Sequence, residues 1–323
     1  MATDALDLLC MGRSSIDLYA HEIGVPITSV KSFDAYVGGC PTNVAVGTRR
    51  LGVRSGLLTG LGTDQIGDFV LNFLETEGVD VSAVPRFPER RTSAAVLTIQ
   101  PPDRFPLTFY RDNCADIGLT IEHVRRSPAT TSRLLFVTGT GLSEEPSRTA
   151  TLFAAEHARR AGNRVILDVD YRSGLWPSED AFGANVRALA RHAHIVIGTE
   201  EELRAAANRA SIDEACARML DIGIDLLVLK RGGDGARVFT PGAQPEDVAP
   251  FRITVMNVLG AGDAFASGFI YGHLQGWPAA KAARLGNATG AIVVTRHGCA
   301  NFMPTIPEVR EFLDAQHATD LAV

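Results

Sequence analysis

The chain has few cysteines, and their spacing suits neither a disulfide framework nor a metal site. The five cysteines among 323 residues are an odd number, lie far apart and include no C-x-x-C pair. This excludes the usual disulfide scaffolds and structural zinc sites. The N-terminus also has no charged segment ahead of an apolar one, so we expect a cytoplasmic protein.

Basic runs and long apolar runs are also missing. Lys and Arg number 31 against 37 Asp and Glu, a net charge of −6, so nucleic acid is not an expected partner. No apolar stretch reaches the length needed to span a membrane, so we expect no membrane partner. The hydrophobic content of 46% and charged content of 21% are those of an ordinary globular protein. The length suits two domains or one large α/β unit.

Three common nucleotide-binding motifs are absent as well. There is no G-x-x-x-x-G-K-[ST] loop, and there is no H-R-D or D-F-G set. Gly60, Gly62 and Gly67 do not have the G-x-G-x-x-G spacing, and no second strand with a ribose-binding acid follows them. These absences exclude the P-loop, protein-kinase and dinucleotide-binding classes.

Alternating strand and helix patterns are what the chain does contain. They predict an α/β protein with a mostly parallel central sheet and helices on both faces. Short β-rich segments predict a smaller peripheral sheet, formed by residues 18–37, 93–99 and 107–110, with a hairpin turn at 101–104. Apolar runs typical of buried strands lie at residues 6–11, 134–137, 165–167, 195–197 and 225–229.

Residues 257–263, Asn-Val-Leu-Gly-Ala-Gly-Asp, form the most informative stretch. A strand is predicted before it at 251–255, and a helix after it at 264–275. Bare backbone N–H groups at a helix N-terminus favour an anion. Asp263 alone is typical of a helix cap. The glycines before it favour a second interpretation, a base beside a phosphate site, and the stretch by itself leaves both open.

Other polar clusters also follow the predicted strands. The carboxyl ends of parallel strands share one edge of a sheet, so we expect these clusters to lie close together. Glycine-lined backbone, acids and a few bases suit a phosphorylated ligand with Mg²⁺. The clusters are Arg13 and Asp17; Asp168, Asp170 and Arg172; residues 200–202; residues 230–235; and residues 260–263.

Two segments resemble the signatures of a known family. The sequence GGCPTN at residues 38–43 is similar to the first signature of the ribokinase-like (PfkB) sugar kinases, and residues 257–263 are similar to the second, D-T-x-G-A-G-D. The resemblance runs from about residue 8 to about residue 304. Residues 12–19 and 109–116 are further similar to the branch that phosphorylates 5-dehydro-2-deoxy-D-gluconate in myo-inositol breakdown.

The resemblance implies a single ribokinase-like domain over residues 1–323. A β-sheet lid would be formed by about 14–37 and 91–113, with Gly38 and Gly39 as its hinge. The implied reaction is ATP-dependent phosphorylation of the terminal hydroxyl of a deoxy keto sugar acid, most similar to the formation of 5-dehydro-2-deoxy-D-gluconate 6-phosphate. A homodimer that pairs through the lid is the expected assembly.

The resemblance also assigns roles to individual residues. Asp263 would be the base that takes the proton from the acceptor hydroxyl, and Glu202 would organise Mg²⁺ through water. Backbone N–H groups would hold the moving phosphoryl group at Gly260, Ala261 and Gly262. The residues assigned to the acceptor's hydroxyls are Asp17, Gly39 and Asn43. Those assigned to ATP are Lys230, Gly232 and Gly235, with Asn287 on the adenine side.

Two positions depart from the family pattern. Thr199 stands where most members have Asn, so the Mg²⁺ network is expected to be rearranged. Asn257 stands where an Asp commonly helps to hold a monovalent cation, which argues against activation by K⁺. The resemblance therefore implies ATP and Mg²⁺, and leaves K⁺ open.

A keto acid also needs a group that binds its carboxylate. Arg111 is the first candidate and Arg13 the second, because a guanidinium matches the geometry of a carboxylate. Arg172, from the cluster after a predicted strand, is a third.

Rival interpretations remain for the activity. A 2-dehydro-3-deoxygluconokinase would also need an arginine for its acid, whereas a simple-sugar or nucleoside kinase would not. A catalytically dead sugar-acid sensor could keep the GGCPTN segment, but it would have no use for the intact Gly260 to Asp263 turn.

Overall fold

A computed structural model describes residues 5–100, 104–321 and 323. The strands, in chain order, are β1 (Leu8–Met11), β2 (Ser15–Ala20), β3 (Phe33–Gly38), β4 (Ser55–Leu58), β5 (Leu61–Gly62), β6 (Arg86–Phe87), β7 (Ser93–Leu97), β8 (Leu107–Tyr110), β9 (Leu134–Thr138), β10 (Arg164–Asp168), β11 (Ile195–Thr199), β12 (Leu226–Lys230), β13 (Ala236–Phe239) and β14 (Glu246–Val248). The helices are α1 (Cys40–Arg50), α2 (Gln65–Thr76), α3 (Ile121–Arg126), α4 (Ser147–Arg160), α5 (Glu179–Ala190), α6 (Glu200–Ala207), α7 (Ile212–Leu220), α8 (Ala261–Leu274), α9 (Ala279–Val293) and α10 (Ile306–Ala315).

The main sheet has eight strands in the order β14-β13-β12-β11-β10-β9-β1-β4. The six from β12 to β4 are parallel, and β13 and β14 add an antiparallel edge. Strands β9 to β12 are almost entirely buried apolar runs, as a sheet covered on both faces requires. The predicted mostly parallel α/β sheet is therefore confirmed, and the polar residues after its strands share one edge.

Alternate residues of each parallel strand face opposite sides of the sheet and build two cores. In β1, Leu9 and Met11 pack in the cluster that includes residues of α4 to α7, whereas Leu8 and Cys10 pack in the cluster that includes residues of α1, α2, α8 and α9. Within the described residues, no helix combines the length and the apolar character that crossing a membrane requires.

A second, smaller sheet has the order β3-β2-β7-β8. Strands β7 and β8 are antiparallel, as a hairpin requires, and the first strand of this sheet, β2, begins four residues after β1 ends. The predicted peripheral sheet is therefore present. Its predicted hairpin turn at 101–104 falls on residues 101–103, which lie outside the described residues.

The strand predicted at residues 251–255 is wrong. The segment has the alternating sequence pattern of a strand, but among the described residues no strand pairs with it. The main sheet already ends at β14, so residues 252 and 254–256 are exposed to solvent. Helix α8 begins at Ala261, three residues earlier than predicted, which places the end of the glycine-rich stretch inside its first turn.

Candidate active site

A cavity lies between the carboxyl edge of the main sheet and the small sheet. It brings together seven of the residues predicted from the sequence: Arg13, Asp17, Gly39, Asn43, Arg172, Gly260 and Asp263. The small sheet contributes apolar residues to which the sequence assigned no role in the site, among them Tyr19, Leu97, Leu107 and Phe109. Tyr19 and Phe109 lie in segments that resemble one branch of the family, but their place in the cavity depends on the pairing of β2, β7 and β8.

Asp263 is held by the start of another helix. The Nδ2 of Asn43, in the first turn of α1, donates to Oδ2 of Asp263, in the first turn of α8, at 2.6 Å. Burial raises the pKa of Asp263, and the neighbouring Asp170 raises it further, while the hydrogen bonds from Asn43 and Cys40 oppose the shift. The carboxylate is therefore a better proton acceptor than an ordinary aspartate.

The glycine turn ahead of α8 presents unpaired backbone donors. Gly260 is in the left-handed region with φ 84°, and a Cβ there would press on Cys299. In the described part of the chain, no backbone oxygen accepts from the N–H groups of Gly260, Gly262 and Asp263. The N–H of Ala261, predicted to hold the phosphoryl group, instead donates to the carbonyl of Val258 at 3.2 Å. The N–H groups left free among the described residues are thus those of Gly260, Gly262 and Asp263, and their part in phosphate binding stays a prediction.

Asp17 fits into space that Gly38 leaves open. A Cβ on Gly38 would overlap Oδ2 of Asp17, and a Cβ on Gly39, at φ 106°, would overlap the backbone oxygen of Arg13. The hydroxyl of Ser15 donates to Oδ1 of Asp17 at 2.7 Å. Burial raises the pKa of Asp17 in spite of the nearby Arg13. The glycine at position 38 is therefore needed for this carboxylate, and the one at position 39 for the backbone path at the start of α1.

Arg13 lines the cavity and has one donor group without a partner in the described part of the chain. Its Nη1 donates to the hydroxyl of Ser15 at 2.7 Å, and its guanidinium carbon lies 5.0 Å from the centre of the Phe109 ring. The Nε of Arg13 is buried and has no partner among the described residues. Arg172 also lines the cavity, where its Nη2 pairs with Oδ1 of Asp170 at 3.1 Å.

Arg111, the first candidate for the carboxylate, is occupied elsewhere. It is buried, its Nε and Nη2 pair with Oδ2 of Asp116 at 2.8 and 2.7 Å, and its Nη1 donates to the hydroxyl of Ser143 at 2.6 Å. It does not line the cavity. A buried ion pair of this kind is costly to break, so Arg111 is committed to Asp116 and Ser143 in this structure, and which arginine binds a substrate carboxylate stays a prediction.

Lys230 forms a buried charge cluster behind the glycine turn. Its Nζ lies 3.0 Å from Oδ2 of Asp168 and 3.7 Å from Oε2 of Glu202, and a Cβ on Gly262 would lie 3.2 Å from it. Burial alone would lower the pKa of Lys230, but the two carboxylates raise it, so the ammonium stays charged. The sequence placed Lys230 at the sheet edge but did not predict its pairing with Asp168.

Glu202 is partly committed to its own helix. Its Oε2 accepts from the N–H of Thr199 at 2.7 Å, and the Thr199 hydroxyl accepts in return, which makes a capping box at the start of α6. In the described part of the chain, no three His, Cys, Asp or Glu side chains form a ready metal cage. Mg²⁺ bound mainly by phosphates and water needs only one or two carboxylates, so this donor set fits such an ion.

The residues predicted for the ATP side surround one turn at the sheet edge. Gly232 and Gly235 flank the turn between β12 and β13, where a Cβ on Gly235 would lie 2.1 Å from the backbone oxygen of Val248. The Nδ2 of Asn287, on α9, donates to the backbone oxygen of Ala249 at 2.8 Å. Asn287 therefore supports this wall in the structure, and a contact with adenine stays a prediction.

Fold and site together define a carbohydrate kinase. The family model of the pfkB family carbohydrate kinases matches residues 5–306, and the chain belongs to that family. It is a phosphotransferase that acts on a sugar hydroxyl.

Particular relatives narrow the comparison. A 5-dehydro-2-deoxygluconokinase of Geobacillus kaustophilus is 33% identical over 317 residues, 97% of this chain and 94% of the relative. The fructokinase of Xylella fastidiosa, solved with bound ATP, is 26% identical with a TM-score of 0.86, covering 96% of this chain and 98% of that one. A fructokinase double mutant of Vibrio cholerae O395, in a fructose, ADP and potassium ion bound form, is 26% identical with a TM-score of 0.85, covering 96% and 99%. The ribokinase-like fold prediction is confirmed.

Proposed function

We propose that the chain transfers phosphate from ATP to the terminal hydroxyl of 5-dehydro-2-deoxy-D-gluconate, giving the 6-phosphate in myo-inositol catabolism. The observation that carries the proposal is Arg13, a buried guanidinium with an unused Nε in the same cavity as Asp263. A neutral sugar has no charged group to pair with this guanidinium, whereas a sugar acid has a carboxylate. The curated relatives named for this activity support the same substrate.

Asp263 is the proposed base. Its carboxylate is anchored on Asn43 and faces the cavity, so an acceptor hydroxyl placed there can give up its proton to it. The raised pKa suits the task, because a stronger base takes a larger share of the proton in the transition state. Asp17, Asn43 and Gly39 would position the other hydroxyls.

The phosphoryl group would meet the N–H groups of Gly260, Gly262 and Asp263 at the start of α8. Donors fixed at a helix N-terminus stabilise developing negative charge without having to reorganise. Lys230, held against this turn by Asp168 and Glu202, adds a positive charge behind it. Phosphoryl transfer depends mainly on alignment and charge stabilisation, which these groups supply.

The nucleotide would lie along the wall formed by Gly232, Gly235 and Asn287. Glu202 and Asp168 would hold Mg²⁺ through water, and the ion would neutralise charge on the phosphate oxygens. The small sheet, covering the acceptor, would act as the lid that keeps water from the reaction.

An acceptor screen that follows ADP release tests the proposal. We expect kcat/KM for 5-dehydro-2-deoxy-D-gluconate to exceed that for 2-dehydro-3-deoxy-D-gluconate, fructose and a nucleoside by about tenfold or more, the scale of discrimination that a few pocket contacts provide. Replacing Arg13 by Gln should raise KM for the acid by roughly tenfold or more, the effect of losing a charge-assisted hydrogen bond.

Arg191→Gln is the matched control, because Arg191 lies beyond α5, away from the carboxyl edge, and is exposed. A preference for 2-dehydro-3-deoxy-D-gluconate would contradict the proposed substrate and identify the activity as that of a 2-dehydro-3-deoxygluconokinase. An Arg13→Gln variant with an unchanged KM for the acid would remove the carboxylate assignment.

A further inference from the structure

Residues 297–301 touch the small sheet on one side. The hydroxyl of Tyr36, on β3, and Nδ1 of His297 are hydrogen-bonded at 3.2 Å. The N–H of Val37, the next residue of β3, donates to Oδ1 of Asn301 at 3.0 Å. The rings of Tyr36 and His297 also meet edge to face, with centroids 5.9 Å apart. The sheet is thus seated on this segment by polar and ring contacts together.

The same segment touches the glycine turn on its other side. The backbone oxygen of His297 accepts from Nδ2 of Asn257 at 3.1 Å, and Oδ1 of Asn257 accepts from the N–H of Leu259 at 3.0 Å. Cys299 lies directly against Gly260, and its Sγ is hydrogen-bonded to the hydroxyl of Tyr19 on β2. Two short paths therefore join the small sheet to the turn that starts α8.

The side chain of Asn257 provides the main buried hydrogen bonds that hold that turn. The stretch before α8 is otherwise loosely packed, since Val255, Met256 and Val258 are each more than 40% exposed. Asn257 is fully buried, and both ends of its amide are used. The backbone N–H groups of residues 256 and 257 also donate to the carbonyl of Val294, and the N–H of Ala261 donates to the carbonyl of Val258.

We propose that Tyr36 and His297 are positioning residues for phosphoryl transfer: seating of the small sheet on residues 297–301 sets, through Asn257, the conformation of the turn that carries Asp263. The inference rests on the proposed function of that turn. Neither side chain lines the cavity. The expected effect is on kcat rather than on acceptor binding, because small displacements of aligned groups slow the transfer step.

Tyr36→Phe removes one hydroxyl and keeps the ring, which also packs on Phe302. We expect kcat to fall about fivefold, the effect of one lost hydrogen bond, with KM for ATP within about twofold. Tyr271→Phe is the matched control, because this tyrosine lies near the end of α8, packs on Trp277 and does not line the cavity, so the variant should keep the wild-type kcat.

A double-mutant cycle tests the path. Tyr36→Phe should have no further effect on kcat in an Asn257→Ala background, since both changes interrupt the same connection. If that background is insoluble, Asn257→Asp, assayed without K⁺, replaces it, because it keeps the acceptor for Leu259 and loses the donor to His297. Additive effects would overturn the proposal.

The acceptor in these assays is the best of the screened panel for the wild type. An incorrect substrate assignment would therefore change the acceptor and leave the cycle measurable. Equal kcat values for the wild type and Tyr36→Phe would overturn the positioning role while leaving the substrate assignment untouched.

Discussion

At the scale of single residues, the site is built from carboxylates that burial makes harder to ionise. Asp17 and Asp263 share one cavity, and burial raises the pKa of each. The charge of Asp263 further raises the pKa of Asp17, and that of Asp170 further raises the pKa of Asp263. Arg13 and Arg172 oppose the shift at Asp17. Such perturbed acids in a cleft are typical of functional sites.

This electrostatic arrangement predicts loss of activity in mild acid. Asp263 must be ionised to accept a proton, and its pKa lies above that of an ordinary aspartate, so kcat/KM should fall as pH falls through the raised pKa. Asp263→Asn should lower kcat by about 10²-fold or more. Rates of ADP release measured across pH provide the check.

Two controls make this result specific. Asp314→Asn on the exposed face of α10 should behave as the wild type. Asp17→Asn removes the other carboxyl whose pKa is raised. The pH profile of this variant shows how much of the loss of activity at low pH comes from Asp17. An Asp263→Asn enzyme with a normal kcat would show that another group accepts the proton.

At the scale of elements, the strands and helices that pack by pattern were predictable, and the partners of charged side chains were not. Parallel strands such as β9 and β12 can be predicted because they are continuous apolar runs, which is typical of buried strands. The segment 251–255 alternates like a strand yet has no neighbour to pair with, because pairing is decided by the whole sheet. Arg111 was expected in the site, but Asp116, five residues later, holds it.

The element that precedes α8 predicts how the enzyme responds to monovalent cations. The Nδ2 of Asn257 donates to the carbonyl of His297. We expect this hydrogen bond to take the place of a cation held beside a carboxylate. We expect rates in K⁺ and Na⁺ buffers of equal ionic strength to agree within about twofold, since one amide hydrogen bond already satisfies the carbonyl.

Asn257→Asp offers the complementary measurement. A carboxylate there would face the His297 carbonyl without a donor, so the variant should need K⁺ for full activity. Strong K⁺ activation of the wild type would contradict the structural role given to the amide. The potassium ion named with the Vibrio cholerae fructokinase makes the cation a natural one to test.

At the scale of the whole molecule, the described residues leave part of the outer face of the small sheet uncovered. The strand register places Phe33, Leu18, Val96 and Tyr110 on one face, opposite the face that carries Asp17 and Tyr19. Phe33 is 40% exposed and Tyr110 is 60% exposed. Exposed apolar patches of this kind are typical of protein interfaces.

We therefore predict a homodimer that pairs through this face. Sedimentation should give about twice the 34.5 kDa mass of one chain, and Phe33→Asp with Tyr110→Asp should give a monomer, because charges at the centre of an apolar interface lose their hydration. Phe69→Asp, an exposed phenylalanine on α2, is the control. A wild-type monomer at micromolar concentration would contradict the prediction.

The contact between Asn43 and Asp263 joins the starts of two helices, α1 and α8, which have different proposed tasks. In the proposed mechanism, the start of α8 carries the groups that move phosphate, whereas the start of α1, with β2 and β8, carries the groups that would recognise the acceptor. The two meet where Asn43 and Cys40 bond to Asp263, and Arg13 and Phe109 lie outside that contact. We therefore expect that exchanging Arg13 and Phe109 changes the acceptor preference while residues 260–263 stay as they are. The scaffold is thus a ready starting point for engineering kinases with new acceptors.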